Sequence, residues 1–155
     1  MNYKNLEIWQ LSRDLAIDIH KMTLTELPKI EKYEGSSQIR RSSKSVKSNI
    51  VEGYGRKRYQ QEYLRFLTFS ISSNDETIDH LETLHETGSL TNKDLYHNLH
   101  ERLNLLGKKI NIFMKVIQRD LNTKNNITKV NSQQPAASSQ QPAARSQHLR
   151  RNKII

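Results

Sequence analysis

Eight apolar residues, Leu95, Leu99, Leu103, Leu106, Ile110, Phe113, Ile117 and Leu121, recur at steps of three and four without a miss. At 100° per residue they share one face of a helix, the pattern of an amphipathic segment packed on a core. Ile8, Leu11, Leu15, Ile19 and Met22 repeat that spacing near the start of the chain, with Asn5 as a candidate cap and Pro28 beyond the end. Ile39, Ser43, Val46, Ile50 and Gly53 line a second helix that Ser36 or Ser37 can cap. A third helix is expected over 59–86, with Tyr63, Leu67, Ser70, Ile71, Asn74, Ile78, Leu81 and His85 along its stripe. Gly88 suits the residue after its end, and Thr91 followed by Asp94 reads as a variant capping box for the fourth helix. No segment alternates with period two. The expected fold is all-α: an antiparallel four-helix bundle over residues 1–121.

Beyond residue 121 the period is lost. "SQQPAA" occurs at 132–137 and again at 139–144, and residues 122–155 carry six Lys or Arg and no acid. Such a segment cannot bury enough apolar surface to offset its ordering entropy, so 122–155 reads as a disordered basic tail. The tail supplies six of the nine net positive charges, so the high pI (≈ 9.8) says little about the folded part. Cysteine is absent, which excludes disulfides and thiolate metal sites. The first twenty residues include Glu7, Asp14 and Asp18 and do not form a signal peptide, and no apolar run reaches the ~20 residues that cross a bilayer. The chain therefore reads as soluble and cytoplasmic, with no membrane partner.

Apolar periodicity leaves the stretch "SNIVEGYGRKRYQQEYLRF", 48–66, unexplained. "GYG" lacks the GxGxxG and Walker patterns, so Gly53 and Gly55 are expected to supply positive φ angles that end the second helix. Glu82-x-x-His85 and Asp94-x-x-His97 superficially resemble di-iron bundle ligands, yet Asp94 and His97 point away from the core stripe of their helix. No Ser-His-Asp order comes with a nucleophile elbow. No catalytic residue, metal, cofactor or small-molecule substrate is expected, and the chain does not read as an enzyme.

Charge is more informative. Arg40, Lys44 and Lys47 fall at i, i+4 and i+7 on one flank of the second helix, with Arg41 nearby and Arg56, Lys57 and Arg58 following. Residues 40–58 thus hold seven bases against Glu52, whereas 59–101 hold two bases against eight acids. Segregation of this kind can hold a phosphate backbone or join oppositely charged faces of neighbouring subunits. Both readings stay open on charge alone.

The run "SSQIRRSSKSVKSNIVEGYGRKRYQQEYLRFL" resembles the central signature of the 23S rRNA intervening-sequence proteins, often described only as four-helix bundle proteins. The matching positions are Ser36 or Ser37, Gln38, Ile39, Arg40, Arg41, Ser45, Asn49, Ile50, Glu52, Gly53, Gly55, Arg56, Glu62, Tyr63, Arg65, Phe66 and Leu67, with Leu6, Trp9 and Leu15 in the opening segment. The chain departs at Ser42, Ser43 and Val51, where the family usually has small apolar residues, in "SSNDETIDHLE", and in its tail. The resemblance implies a bacterial, non-catalytic bundle that assembles into a ring, a homopentamer, and that is commonly supposed to associate with RNA. Beside it, the residues suggest two roles. Arg40, Lys44, Lys47, Lys57 and Arg58 are candidate RNA contacts, while Arg41, Asn49, Glu52, Gly53, Gly55 and Arg56 form a structural or interface network. The alternative is a self-assembling ring scaffold or protein-interaction module that binds no nucleic acid.

Overall fold

The computed structural model describes residues 2–133. Four helices occupy most of this span: α1 (Glu7–Thr25), α2 (Gly35–Gly55), α3 (Gln60–Glu86) and α4 (Lys93–Gln133), with short 3-10 turns at Tyr3–Asn5 and Lys29–Lys32. Among the described residues there is no strand, and no helix is long and apolar enough to cross a membrane. The apolar stripes meet at the centre, where Leu15, Ile19, Met22, Ile39, Ile50, Leu67, Leu81, Leu99, Leu103 and Ile110 are almost wholly buried. Packing pairs run in opposite directions along neighbouring helices. Ser42, Ser45 and Val46 of α2 meet Thr77, Ser73 and Ser70 of α3. Asp18 and Glu7 of α1 meet Arg102 and Lys109 of α4. The bundle is antiparallel.

Between α2 and α3 the seam is polar and small. Ser70 Oγ donates to the Val46 carbonyl at 2.9 Å, Ser45 and Ser73 hydroxyls are 2.9 Å apart, and Thr77 Oγ1 lies 2.9 Å from Ser42 Oγ. Short side chains let the two backbones approach, and each satisfied bond contributes about 0.5–1.5 kcal/mol net. Asn74, fully buried, donates to the Leu103 carbonyl at 3.0 Å and so ties α3 to α4.

The helix ends differ from the sequence expectation. Leu6, not Asn5, precedes α1, because residues 3–5 are already wound into a 3-10 turn whose cap is Asn2. Glu34 precedes α2, which places Ser36 inside the helix and buried. Asn92 rather than Thr91 caps α4, its Oδ1 accepting from the Leu95 amide at 3.1 Å. Gly88 has φ +76° after the end of α3, as its position implied. Gly53 and Gly55 do not: both are helical, and Gly88 is the only positive-φ glycine among the described residues. Gly53 instead permits close packing, since a Cβ there would sit 3.0 Å from Tyr63 Cδ2 and from Phe66 Cβ. The fourth helix also continues past Leu121, so residues 122–133, assigned to the tail on sequence, are helical. The remainder of the expected tail, 134–155, lies outside the described residues.

Candidate nucleic-acid interface

Arg40, Lys44 and Lys47 emerge on the side of α2 that faces α1 rather than α3. Lys44 and Lys47 line a groove with Arg13, Ala16, Ile17, His20 and Lys21 of α1. The next hollow along shares Lys44 and His20 with it and adds Ser37, Arg40 and Arg41. A third shares Arg40 and adds Ser36, Lys29 and Lys32 with the turn after α1. The three depressions adjoin through common residues and follow α2 from Ser48 back to Ser36, twelve residues or about 18 Å of helix. No carboxylate lines any of them. Arg13 is the one cation of the track that pairs with a carboxylate among the described residues, 3.3 Å from Asp14 with both side chains about half exposed, so its charge is only partly offset.

Individual side chains are held differently. Arg40 is half-buried, and its Nε donates to the Ser36 carbonyl at 3.0 Å, which fixes the guanidinium while leaving its outer nitrogens open. The side chains of Arg41, Lys44 and Lys47 make no hydrogen bond or ion pair with described residues. Arg41 also borders a separate hollow toward α3, where Glu76 and His80 stand 3.5 Å apart. The corner after α2 is distinct from this track. Lys57 lies over the Tyr54 ring at 4.1 Å and donates to its hydroxyl at 2.9 Å, and Arg58 is exposed. At 1.5 Å per residue the corner at Arg56 lies about 12 Å along α2 from Ser48, the near end of the track.

The expected polar network at that corner divides within the chain. Glu52 accepts from Arg56 at 2.7 and 3.1 Å in an i,i+4 pair whose side chains are about half exposed. Arg56 also stands over the Phe66 ring at 5.0 Å. Asn49 turns back to Ser45, donating to its carbonyl at 3.0 Å, and makes no bond to Glu52 or Arg56. Gly53 is buried against α3, and Gly55 is exposed with open space around it.

Sequence reasoning missed the contribution of α1 and the turn that follows it. Arg13, Ile17, His20, Lys21 and Leu24 lie three, four or one apart on one flank, a spacing that could have been read. The histidines weighed as metal ligands have other partners. His85 stacks on Tyr96 with centroids 4.0 Å apart, the His97 ring lies 5.2 Å from that of Tyr96, and Glu82, weighed with them, is 2.7 Å from His100 Nε2. Among the described residues no three His, Asp or Glu side chains are placed to hold a metal ion.

Comparison with known proteins agrees with the fold. No curated protein matches the chain. A crystal structure of a protein of unknown function from the S23 ribosomal protein family of Bacteroides thetaiotaomicron superposes with a TM-score of 0.63. It is 21% identical and covers 70% of this chain and 98% of its own, a likeness of fold. The family model described as 23S rRNA-intervening sequence protein matches residues 4–112, which takes in α1, α2, α3 and the core-facing half of α4. On that match the chain belongs to the 23S rRNA-intervening sequence protein family.

Proposed function

We propose that the protein is a non-enzymatic, oligomeric bundle that binds RNA along the basic track between α1 and α2. The observation that carries this reading is the continuity of the track: Arg13, Lys21, Arg40, Arg41, Lys44 and Lys47 border adjoining hollows with no acid in their lining. Lysines and arginines arrayed at this spacing hold phosphates by charge, and binding of that kind weakens steeply as salt rises. Ala16 and Ile17 give the groove an apolar floor on which a ribose or base edge can rest. Lys57 and Arg58 are secondary contacts in this reading, since the corner lies past the end of the track and Lys57 already engages Tyr54. The test is a gel-shift titration of structured and single-stranded RNA with the double variant Lys44→Glu/Lys47→Glu. Binding should fall by about two orders of magnitude and its salt slope should flatten. Binding unchanged by the double charge reversal rejects this placement.

A second reading, a self-assembling scaffold, is supported by a different surface. Leu105, Ile112, Val116, Ile127 and Val130 are 45–62% exposed along one side of α4. An apolar row of that length calls for a covering partner, and a second copy is the simplest one. Light scattering on the wild type tests it, and a monomer at all concentrations removes it.

A further inference from the structure

The hollow at the start of α2 has features that a charge track alone does not need. Ser36 is 1% exposed, its Oγ has no hydrogen-bond partner among the described residues, and it lines a cavity of about 260 Å³. A buried hydroxyl without a partner costs roughly 1–3 kcal/mol unless a ligand or water completes it. Ser36 is the second residue of α2, and Glu34 before the helix makes no side-chain cap, so the first-turn amides keep the open donors and partial positive charge of a helix N-terminus. Lys29, Lys32 and Arg40 border the same cavity. Arg40 is held by its Nε bond to the Ser36 carbonyl, which leaves two NH₂ groups to form a fork. The carboxylate of Glu31 is not part of the cavity lining, although it stands against Gly35 at the first turn of α2. It accepts from Ser89 at 2.6 Å and fills the space a Gly35 side chain would need, beside Leu84 of α3.

We propose that this cavity is a phosphate site, in which Ser36, the first-turn amides of α2, Arg40 and the two lysines hold a phosphate monoester or diester. Leu24, Leu27 and Pro28 form its apolar wall, suited to the ribose or base that carries the phosphate. The phosphate is supplied by an RNA strand, in which case the site rests on the RNA-binding reading above, or by a free phosphate or mononucleotide, in which case it stands without that reading.

The full chain should be titrated with inorganic phosphate and with AMP while amide resonances are followed. Saturable shifts centred on Gly35–Ser37 are expected. Ser36→Ala should weaken binding about threefold or more, and Arg40→Gln about tenfold or more. Because Ser36→Ala removes an unpartnered hydroxyl, its thermal midpoint should equal or exceed that of the wild type, which separates lost binding from lost folding. Lys29→Gln/Lys32→Gln, at exposed positions, provides a second variant with the same expected direction. A 5′-phosphorylated oligoribonucleotide that outcompetes its 5′-hydroxyl twin for the site identifies an RNA end as the source, and equal competition with retained AMP binding identifies a free nucleotide. Shifts that do not saturate, or titrations identical in wild type and all three variants, overturn the proposal. Inorganic phosphate reports on the cavity and the gel shift on the long groove, so failure of one leaves the other readable.

Discussion

Tyr63 joins three helices at one point. Its ring lies against Gly53 of α2 and stands edge-on to Phe113 of α4, with centroids 5.9 Å apart. Its hydroxyl is buried with no hydrogen-bond partner among the described residues, and burial, reinforced by Tyr54, pushes the phenol from 10.0 up to about 12. The sign of the resulting pH effect follows from linkage. Below pH 10 the phenol is protonated in both folded and unfolded chains and contributes no slope. Between pH 10 and 12 the unfolded chain ionises first, so stability falls as pH rises. Tyr63→Phe removes the unpaired hydroxyl and keeps the ring. At pH 8 it should be neutral or stabilising by up to about 1 kcal/mol. Its advantage over the wild type should then widen above pH 10 in urea midpoints. A variant that loses more than about 1 kcal/mol at pH 8 would show that the hydroxyl is bonded after all.

At the scale of elements, α4 is longer than the bundle it serves. Ile117 is its last buried residue, Leu121 is half-buried, and 122–132 are exposed. Residues 122–132, exposed throughout, extend about 17 Å beyond Leu121. In the monomer, truncation after Leu121 should therefore shift the melting midpoint by less than about 2 °C while lowering far-UV helicity. At concentrations where copies associate, a fall above about 5 °C would show that a second copy covers Ile127 and Val130. The cores of all four helices were legible because Leu, Ile and Val at steps of three and four identify a buried face whatever it packs against. The ends were not legible, since caps compete within two residues: Asn92 beside Thr91, Glu34 beside Ser36. The role of Gly53 was hidden for a related reason, because the atoms that exclude a Cβ there belong to Tyr63 and Phe66 on α3. Half of the basic track was also concealed. Residues 1–39 hold more acids than bases, yet Glu7 and Asp18 are drawn to Lys109 and Arg102 of α4, leaving Lys21, Lys29 and Lys32 toward α2.

For the whole molecule, the open issue is whether charge or apolar surface would hold copies together. Docking by charge would set the basic track against acids of α3 and α4 such as Asp75, Asp79, Glu86 and Glu101, which make no ion pair with described residues. Docking by apolar surface would use α4. Leu105, Ile112, Val116, Thr123, Ile127 and Val130 fall within about 60° of arc at 100° per residue, some 120° from the core stripe. Ile112 and Val116 border a hollow of about 270 Å³ with Leu6, Ile8 and Phe113, so the row continues onto the start of α1. Salt separates the two. At 1 M the Debye length is about 3 Å, which screens docking between exposed charges, whereas apolar burial is not weakened. We expect the apolar row to dominate, because exposed ion pairs contribute about 0–1 kcal/mol each while burying one Ile or Val side chain contributes about 1.5–3 kcal/mol. Sedimentation should then give a multiple of 18.2 kDa that persists in 1 M salt, and Ile112→Glu/Val116→Glu should reduce it to 18.2 kDa with helicity retained. Dissociation of the wild type by salt alone would transfer the assembly to the charged faces, and a wild type that is monomeric throughout would leave the row without a second copy to cover it.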